Sequence, residues 1–168
     1  MPAGLVPRRE RLATLPVDSL GRRALPRVDY LDVFATAVGQ KASLESVARQ
    51  VFGGRPPRLM RLRDALVRPF GLKTSPRGPR QLPRFVPGER IGLFTLFART
   101  DKELLLGEDD KHLDFRICLR VTGDGKASLA TLVRYRNGWG RVYFTLIRPF
   151  HVVVVKAMLR RAAPEAAP

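Results

Sequence analysis

The stretch His112-Leu-Asp-Phe-Arg-Ile-Cys-Leu-Arg-Val121 decides how this chain is read. On an extended backbone Leu113, Phe115, Ile117, Leu119 and Val121 fall on one side, and His112, Asp114, Arg116, Cys118 and Arg120 on the other. The alternation predicts a strand of an antiparallel sheet with one dry face and one wet face. Outward from it, further strands are predicted near 90–99, 103–107, 127–136 and 141–147, with an earlier one over Asp29–Ala35. The connections at 100–102, 108–111, 122–126 and 137–140 are short, so consecutive strands should be neighbours in a meander. Gly123-Asp-Gly125 and Asn137-Gly138 supply the positive-φ residues of tight hairpins, and Trp139 is then placed in a hairpin turn.

Two short helices are expected between the first strand and the meander. Leu44, Val47, Ala48, Val51 and Phe52 follow helical spacing over 42–52, with Ser43 as N-cap and Gly53-Gly54 as the stop. The second opens at Pro57 and carries the stripe Leu59, Leu62 and Leu66. Its other face gathers Arg58, Arg61 and Arg68 around Asp64. Residues 74–88 hold four prolines, two glycines and three arginines, the composition of a long loop or lid. At the C-terminus the four valines 152–155 favour a strand. Pro149 at a first helical position and the helix formers 156–163 favour a helix, and a helix is the reading adopted, with the stripe Phe150, Val154 and Met158.

Together these elements predict an α+β fold: a curved antiparallel sheet of about six strands wrapped on a long C-terminal helix. Residues 28–163 form one domain in this reading. Residues 1–27 form a flexible basic arm, and 164–168 a frayed tail.

The net charge is +16, concentrated in two places. Residues 55–90 hold ten basic and two acidic side chains, and residues 1–27 hold six and two. Such a field attracts anionic surfaces, and Arg58, Arg61 and Arg68 are the anion-binding candidates. Arginine outnumbers lysine by 25 to 6, a bias that a GC-rich coding background also produces. Nucleic acid is not the expected partner, because the aromatics sit mostly at core-like positions; Phe70 and Phe85, beside the basic loop, are the exceptions. No run of about 18 apolar residues exists, so no membrane-spanning helix is expected. The N-terminus lacks the apolar stretch of a signal peptide, and Cys118 is the single cysteine, which excludes an internal disulfide. A cytoplasmic protein is the expectation.

The densest polar cluster is Glu108, Asp109, Asp110, His112 and Asp114. Its spacing matches no calcium loop, and a polar turn entering a strand explains it without a metal or cofactor. Asp114 lies inside the strand and needs a cation, with Arg116 or Arg134 in reach. His151 at the start of the last helix and Tyr143 complete the polar pocket candidates, and Asp114 with His151 is the acid–base pair of an enzymatic alternative.

Asp29-Tyr30, Leu59-Met-Arg-Leu-Arg-Asp-Ala-Leu-Val-Arg-Pro-Phe-Gly71, Gly107-Glu-Asp-Asp-Lys-His-Leu-Asp-Phe115, Gly140-Arg-Val-Tyr143 and Pro149-Phe-His151 resemble a bacterial family of unknown function, over roughly residues 29–160. The element order resembles the START-like, helix-grip superfamily of lipid-transfer, polyketide-cyclase and birch-pollen-allergen-like proteins. That resemblance implies a cavity between sheet and last helix for an apolar small molecule or lipid. Strand parity and the helical stripe would line it with Phe94, Leu96, Phe115, Ile117, Val133, Phe144, Phe150, Val154 and Met158. A cyclase- or hydratase-like enzyme, and a protein binding polyanions or membrane surfaces through 55–90, are the alternatives.

Overall fold

A computed structural model of the chain describes residues 15–53, 83–91 and 94–164. Six strands form one curved antiparallel sheet: β1 Tyr30–Ala37, β2 Arg90–Ile91, β3 Phe94–Arg99, β4 Glu103–Asp109, β5 Leu113–Thr122 and β6 Lys126–Tyr135. Their order is β1-β6-β5-β4-β3-β2, so the first strand closes against the last. Helix α1, Leu44–Gly53, follows β1, and helix α2, Gly138–Arg160, follows β6. The arrangement is the α+β sheet-on-helix fold expected. The second short helix and Arg58, Arg61 and Arg68 lie outside the described residues, as does most of the 74–88 loop.

Local chemistry sets the elements. Ser43 Oγ accepts the Ser46 N–H at 3.1 Å, capping α1. Leu44, Val47, Ala48 and Val51 then face the core. Between β5 and β6 the Gly125 backbone has φ 74°, where its lack of a Cβ removes the penalty of a left-handed turn. That turn sets the register Ile117↔Thr131 and Leu119↔Leu129.

Two expected strands are corrected. The single strand at 90–99 is instead the pair β2 and β3, joined as antiparallel neighbours with Ile91 opposite Phe94. The strand at 141–147 is helix. Val142, Phe144 and Leu146 do alternate, but Gly140, Tyr143, Phe144, Ile147 and His151 follow a helical period. Asn137 decides between them. Its Oδ1 accepts the Gly140 N–H at 3.0 Å, so Asn137-Gly138 is a helix start rather than a hairpin turn. Gly140 then passes so close to β5 that a Cβ there would stand 2.0 Å from the His112 carbonyl oxygen. Pro149 is therefore interior to α2, where its missing N–H leaves the Thr145 carbonyl without its helical donor.

The inner face of the sheet carries Phe34, Leu96, Leu104, Leu106, Ile117, Leu119 and Leu129, packed with α1 and with Val155 and Leu159 of α2. The outer face, expected to be wet, is covered across the middle of β1, β6, β5 and β4. Leu15 and Leu25 are buried on Leu31, Leu105, Cys118 and Leu132. A 3₁₀ turn at Leu20–Arg23 brings the Ser19 hydroxyl and the Leu20 N–H to the buried Glu103 carboxylate, at 2.7 and 2.9 Å. Residues 15–27 are thus a packed cover, not a loose arm, because β4 and β5 present Leu105 and Cys118 on that face. We expect Leu25→Ala to lower the unfolding free energy by about 2–3 kcal/mol in urea denaturation; a change below about 0.5 kcal/mol, the level of an ordinary surface substitution, would show the cover to be dispensable.

Candidate functional site

Strand parity places Tyr30, Asp32 and Phe34 of β1 on the inner face, opposite Val133, Thr131 and Leu129 of β6. An acid in the middle of this row is out of place. Asp32 is 3% exposed. Its Oδ2 accepts two hydrogen bonds, from the Tyr30 hydroxyl at 2.7 Å and from His151 Nε2 at 3.1 Å. A carboxylate only accepts, so the proton of this bond sits on Nε2, and in a neutral imidazole Nδ1 is then the acceptor. Phe144 lies against both Tyr30 and His151, with ring centroids at 4.7 and 6.0 Å, and the Arg148 guanidinium sits 5.1 Å from the Tyr30 ring centre.

The other carboxylate oxygen, Asp32 Oδ1, is buried and has no hydrogen-bond partner among the described residues. The same holds for Oγ1 of Thr131, the residue directly opposite in the β1–β6 ladder. Thr131 is 2% exposed. Two orphaned oxygens therefore face the same side of neighbouring strands, under α2, within an otherwise apolar layer. Leaving such a group unpaired costs about 1–3 kcal/mol.

His151 and Tyr143, singled out from sequence, are both at this end of the fold. Tyr143 is buried with Leu113, Val133 and Phe144. Asp114 is not there. It lies on the outer face, paired with Arg136 at 2.7 Å and Arg134 at 3.6 Å, while Arg116 pairs instead with Asp109 at 2.7 Å. The sheet separates Asp114 from His151, so the two form no acid–base pair. Two more of the 108–114 cluster are paired: Glu108 with Arg90 at 3.2 Å, and His112 Nδ1 with Asn137 Nδ2 at 3.2 Å. Among the described residues no three acidic, His or Cys side chains converge as a metal site. Cys118 is buried, and burial first, then the Glu103 carboxylate, hold its thiol far above its ordinary value, so it stays an unreactive thiol. Phe85, read as an exception to the core-like placement of the aromatics, is a core residue.

The apolar candidates divide. Leu96 and Ile117 join the main core, with Phe94, Phe115 and Met158 packed on its edge; Val133 and Phe144 join the layer around Tyr143. Phe150 and Val154 stay half-buried outside both, because α2 begins eleven residues before Pro149 and turns Val155 and Leu159 inward. Leu96, Leu104, Leu106, Leu119, Leu129 and Leu159 have no exposed surface, which leaves no water-sized void against them. A depression of about 210 Å³ opens beside the start of α2, at Arg27, Tyr135, Arg136 and Arg141. Its arginines are engaged, Arg27 with Asp29, Arg136 with Asp114 and Arg141 over the Tyr135 ring.

Asp32 and Thr131 were missed in the sequence. The available signal was a charged residue at the centre of the alternation Tyr30, Asp32, Phe34. Burial first, then the adjacent Asp32 carboxylate, raise the Tyr30 phenol well above its ordinary value. A group whose folded value is raised stabilises the fold below its unfolded value, about 10 for tyrosine, and that stabilisation is lost as pH climbs above it. Wild-type protein should therefore lose more stability above about pH 10 than Tyr30→Phe does, in parallel denaturations. Equal losses in the two proteins would show that Tyr30 ionises as freely folded as unfolded.

Residues 24–158 match the model of the family described as "Protein of unknown function (DUF2867)". No curated protein and no solved structure matches the chain. The match spans the sheet, α1 and nearly all of α2, and with them Tyr30, Asp32, Thr131 and His151, so this chain belongs to the DUF2867 family of proteins of unknown function.

Proposed function

We propose that this chain binds a small molecule with an apolar body and a hydrogen-bonding head, in the manner of START-like proteins. The ligand sits between the inner face of β1 and β6 and the helix α2, with its head at Asp32 and Thr131. The observation that carries this reading is the pair of orphaned oxygens, Asp32 Oδ1 and Thr131 Oγ1, facing the same side of adjacent strands. A hydroxyl or N–H on the ligand donates to Asp32 Oδ1, and the Thr131 hydroxyl turns to donate to or accept from the same head. Tyr30 and His151 already fill Oδ2, which leaves Oδ1 as the oriented acceptor. Phe144, Val133, Phe115 and Ile117 supply the apolar surroundings. The layer is close-packed toward Leu96 and Leu159, so the ligand's body makes room by side-chain shifts around Phe144 and Val133 while His151 keeps α2 on Asp32. The element order is compatible with a helix-grip binding protein.

The Asp32–His151 contact favours a second reading, acid–base chemistry of the cyclase or hydratase kind. His151 Nδ1 would then be the base, oriented by Asp32 in place of Asp114. Recovery of the bound molecule chemically unchanged separates binding from turnover.

The test is Thr131→Val. Removing an unpaired buried hydroxyl at nearly constant shape should stabilise the fold by about 1 kcal/mol. The same change should weaken uptake of the neutral dye Nile red, or of any molecule that copurifies and is seen by native mass spectrometry. A site kept at a cost in stability gives this opposed pair of effects. Wild-type protein that takes up no dye and carries no molecule, or a valine variant that binds as well as wild type, would overturn the reading.

A further inference from the structure

We infer that the outward face of α2 is a docking surface for an anionic membrane. It is a separate site from the one under the helix. Trp139, Val142, Leu146 and Val153 are 65, 53, 62 and 54% exposed. Their spacing places them on one stripe of α2, opposite the stripe of Gly140, Tyr143, Phe144, Val155 and Leu159 that is buried on the sheet. Large apolar side chains in line along one helix face, rather than scattered singly, mark an interaction surface.

The charge on the helix says what that surface meets. The 23 residues of α2 contain no aspartate or glutamate, and they carry Arg141, Arg148, Lys156 and Arg160. Arg141 and Arg160 are exposed, and Lys156 is half-buried; the chain as a whole carries +16. An apolar stripe on a helix whose only charged residues are cations, with a tryptophan at one end, is the composition of a helix that lies in the headgroup region of an acidic bilayer. By length and mean hydropathy, 1.5 over 18 residues, α2 is long and apolar enough to cross a membrane. Its other face argues for lying flat. His151 is bonded to Asp32 and Phe144 to Tyr30, so the inner face stays on the sheet and only the outer stripe enters the lipid. A second copy of this chain would bury the same stripe but would set two rows of arginine and lysine against each other, which the bilayer does not.

Trp139 is the chain's single tryptophan and reports the event directly. Its emission should be that of an exposed indole in buffer. It should shift to the blue on adding vesicles of phosphatidylcholine mixed with phosphatidylglycerol, and stay unchanged with phosphatidylcholine alone. Added salt should reverse the shift. Leu146→Glu, a change at an exposed position, should reduce cosedimentation with the acidic vesicles at least about tenfold while circular dichroism stays that of wild type. An emission indifferent to acidic vesicles would overturn the inference. So would a glutamate variant that sediments as wild type does. A blue emission in buffer that turns red on dilution, with a dimer seen by ultracentrifugation, would also overturn it and assign the face to a second copy of this chain.

Discussion

A single buried carboxylate ties the two ends of this fold together. Asp32 sits on the edge strand β1, and the groups that hold it come from β1 itself, through Tyr30, and from the middle of α2, through His151. A charge taken out of water needs partners, and removing one partner of a buried pair costs far more than the pair contributes. The helix is therefore fixed on the inner face in one rotation: His151 toward Asp32, Phe144 against Tyr30, and Val155 and Leu159 within the main core. The other consequence of that rotation is outward. Turning this stripe inward leaves Trp139, Val142, Leu146 and Val153 on the surface.

The opposite face of the sheet is governed by a second buried acid. Glu103 starts β4 and takes the Ser19 hydroxyl and the Leu20 N–H, with Arg120 at 3.5 Å. It draws residues 15–27 over Leu105 and Cys118. A six-stranded sheet is thus dry on both sides near its centre, and its charged residues survive there only as pairs. The arginines of β5 show this well: Arg116 lies over the Phe97 ring at 4.0 Å and bonds Asp109, while Arg120 holds Asp18 and Glu103.

Much of the scaffold was legible from sequence because local signals and burial agree there. In β5 and β6 alternate residues turn to the inner core as the sequence alternates, and the two strands share a Gly-Asp-Gly turn; α1 has its cap and its stripe. The failures came where two signals coincide. Val142, Phe144 and Leu146 satisfy a strand, while Gly140, Tyr143, Phe144 and Ile147 satisfy a helix, and Asn137-Gly138 reads equally as a turn or as a cap. The start of α2 then moved, which rotated the inward stripe away from Phe150 and Val154. The candidate site was half legible. His151 and Tyr143 were found as residues of suitable chemistry, but their partner was sought in Asp114, because nothing in sequence spacing relates residue 32 to residue 151. That contact exists only through the closure of β1 on β6, a long-range pairing that local patterns do not encode. Thr131 was invisible for another reason: a threonine in a strand is ordinary until its hydroxyl is seen to lack a partner.

The Asp32–His151 bond is best examined by a double-mutant cycle, Asp32→Ala and His151→Ala singly and together, followed by chemical denaturation at neutral pH. A direct contact holding α2 on β1 predicts a coupling energy of about 1–3 kcal/mol between the two sites. Additivity within about 0.5 kcal/mol would mean that the carboxylate and the imidazole do not meet, and that α2 is not held on β1 through this pair.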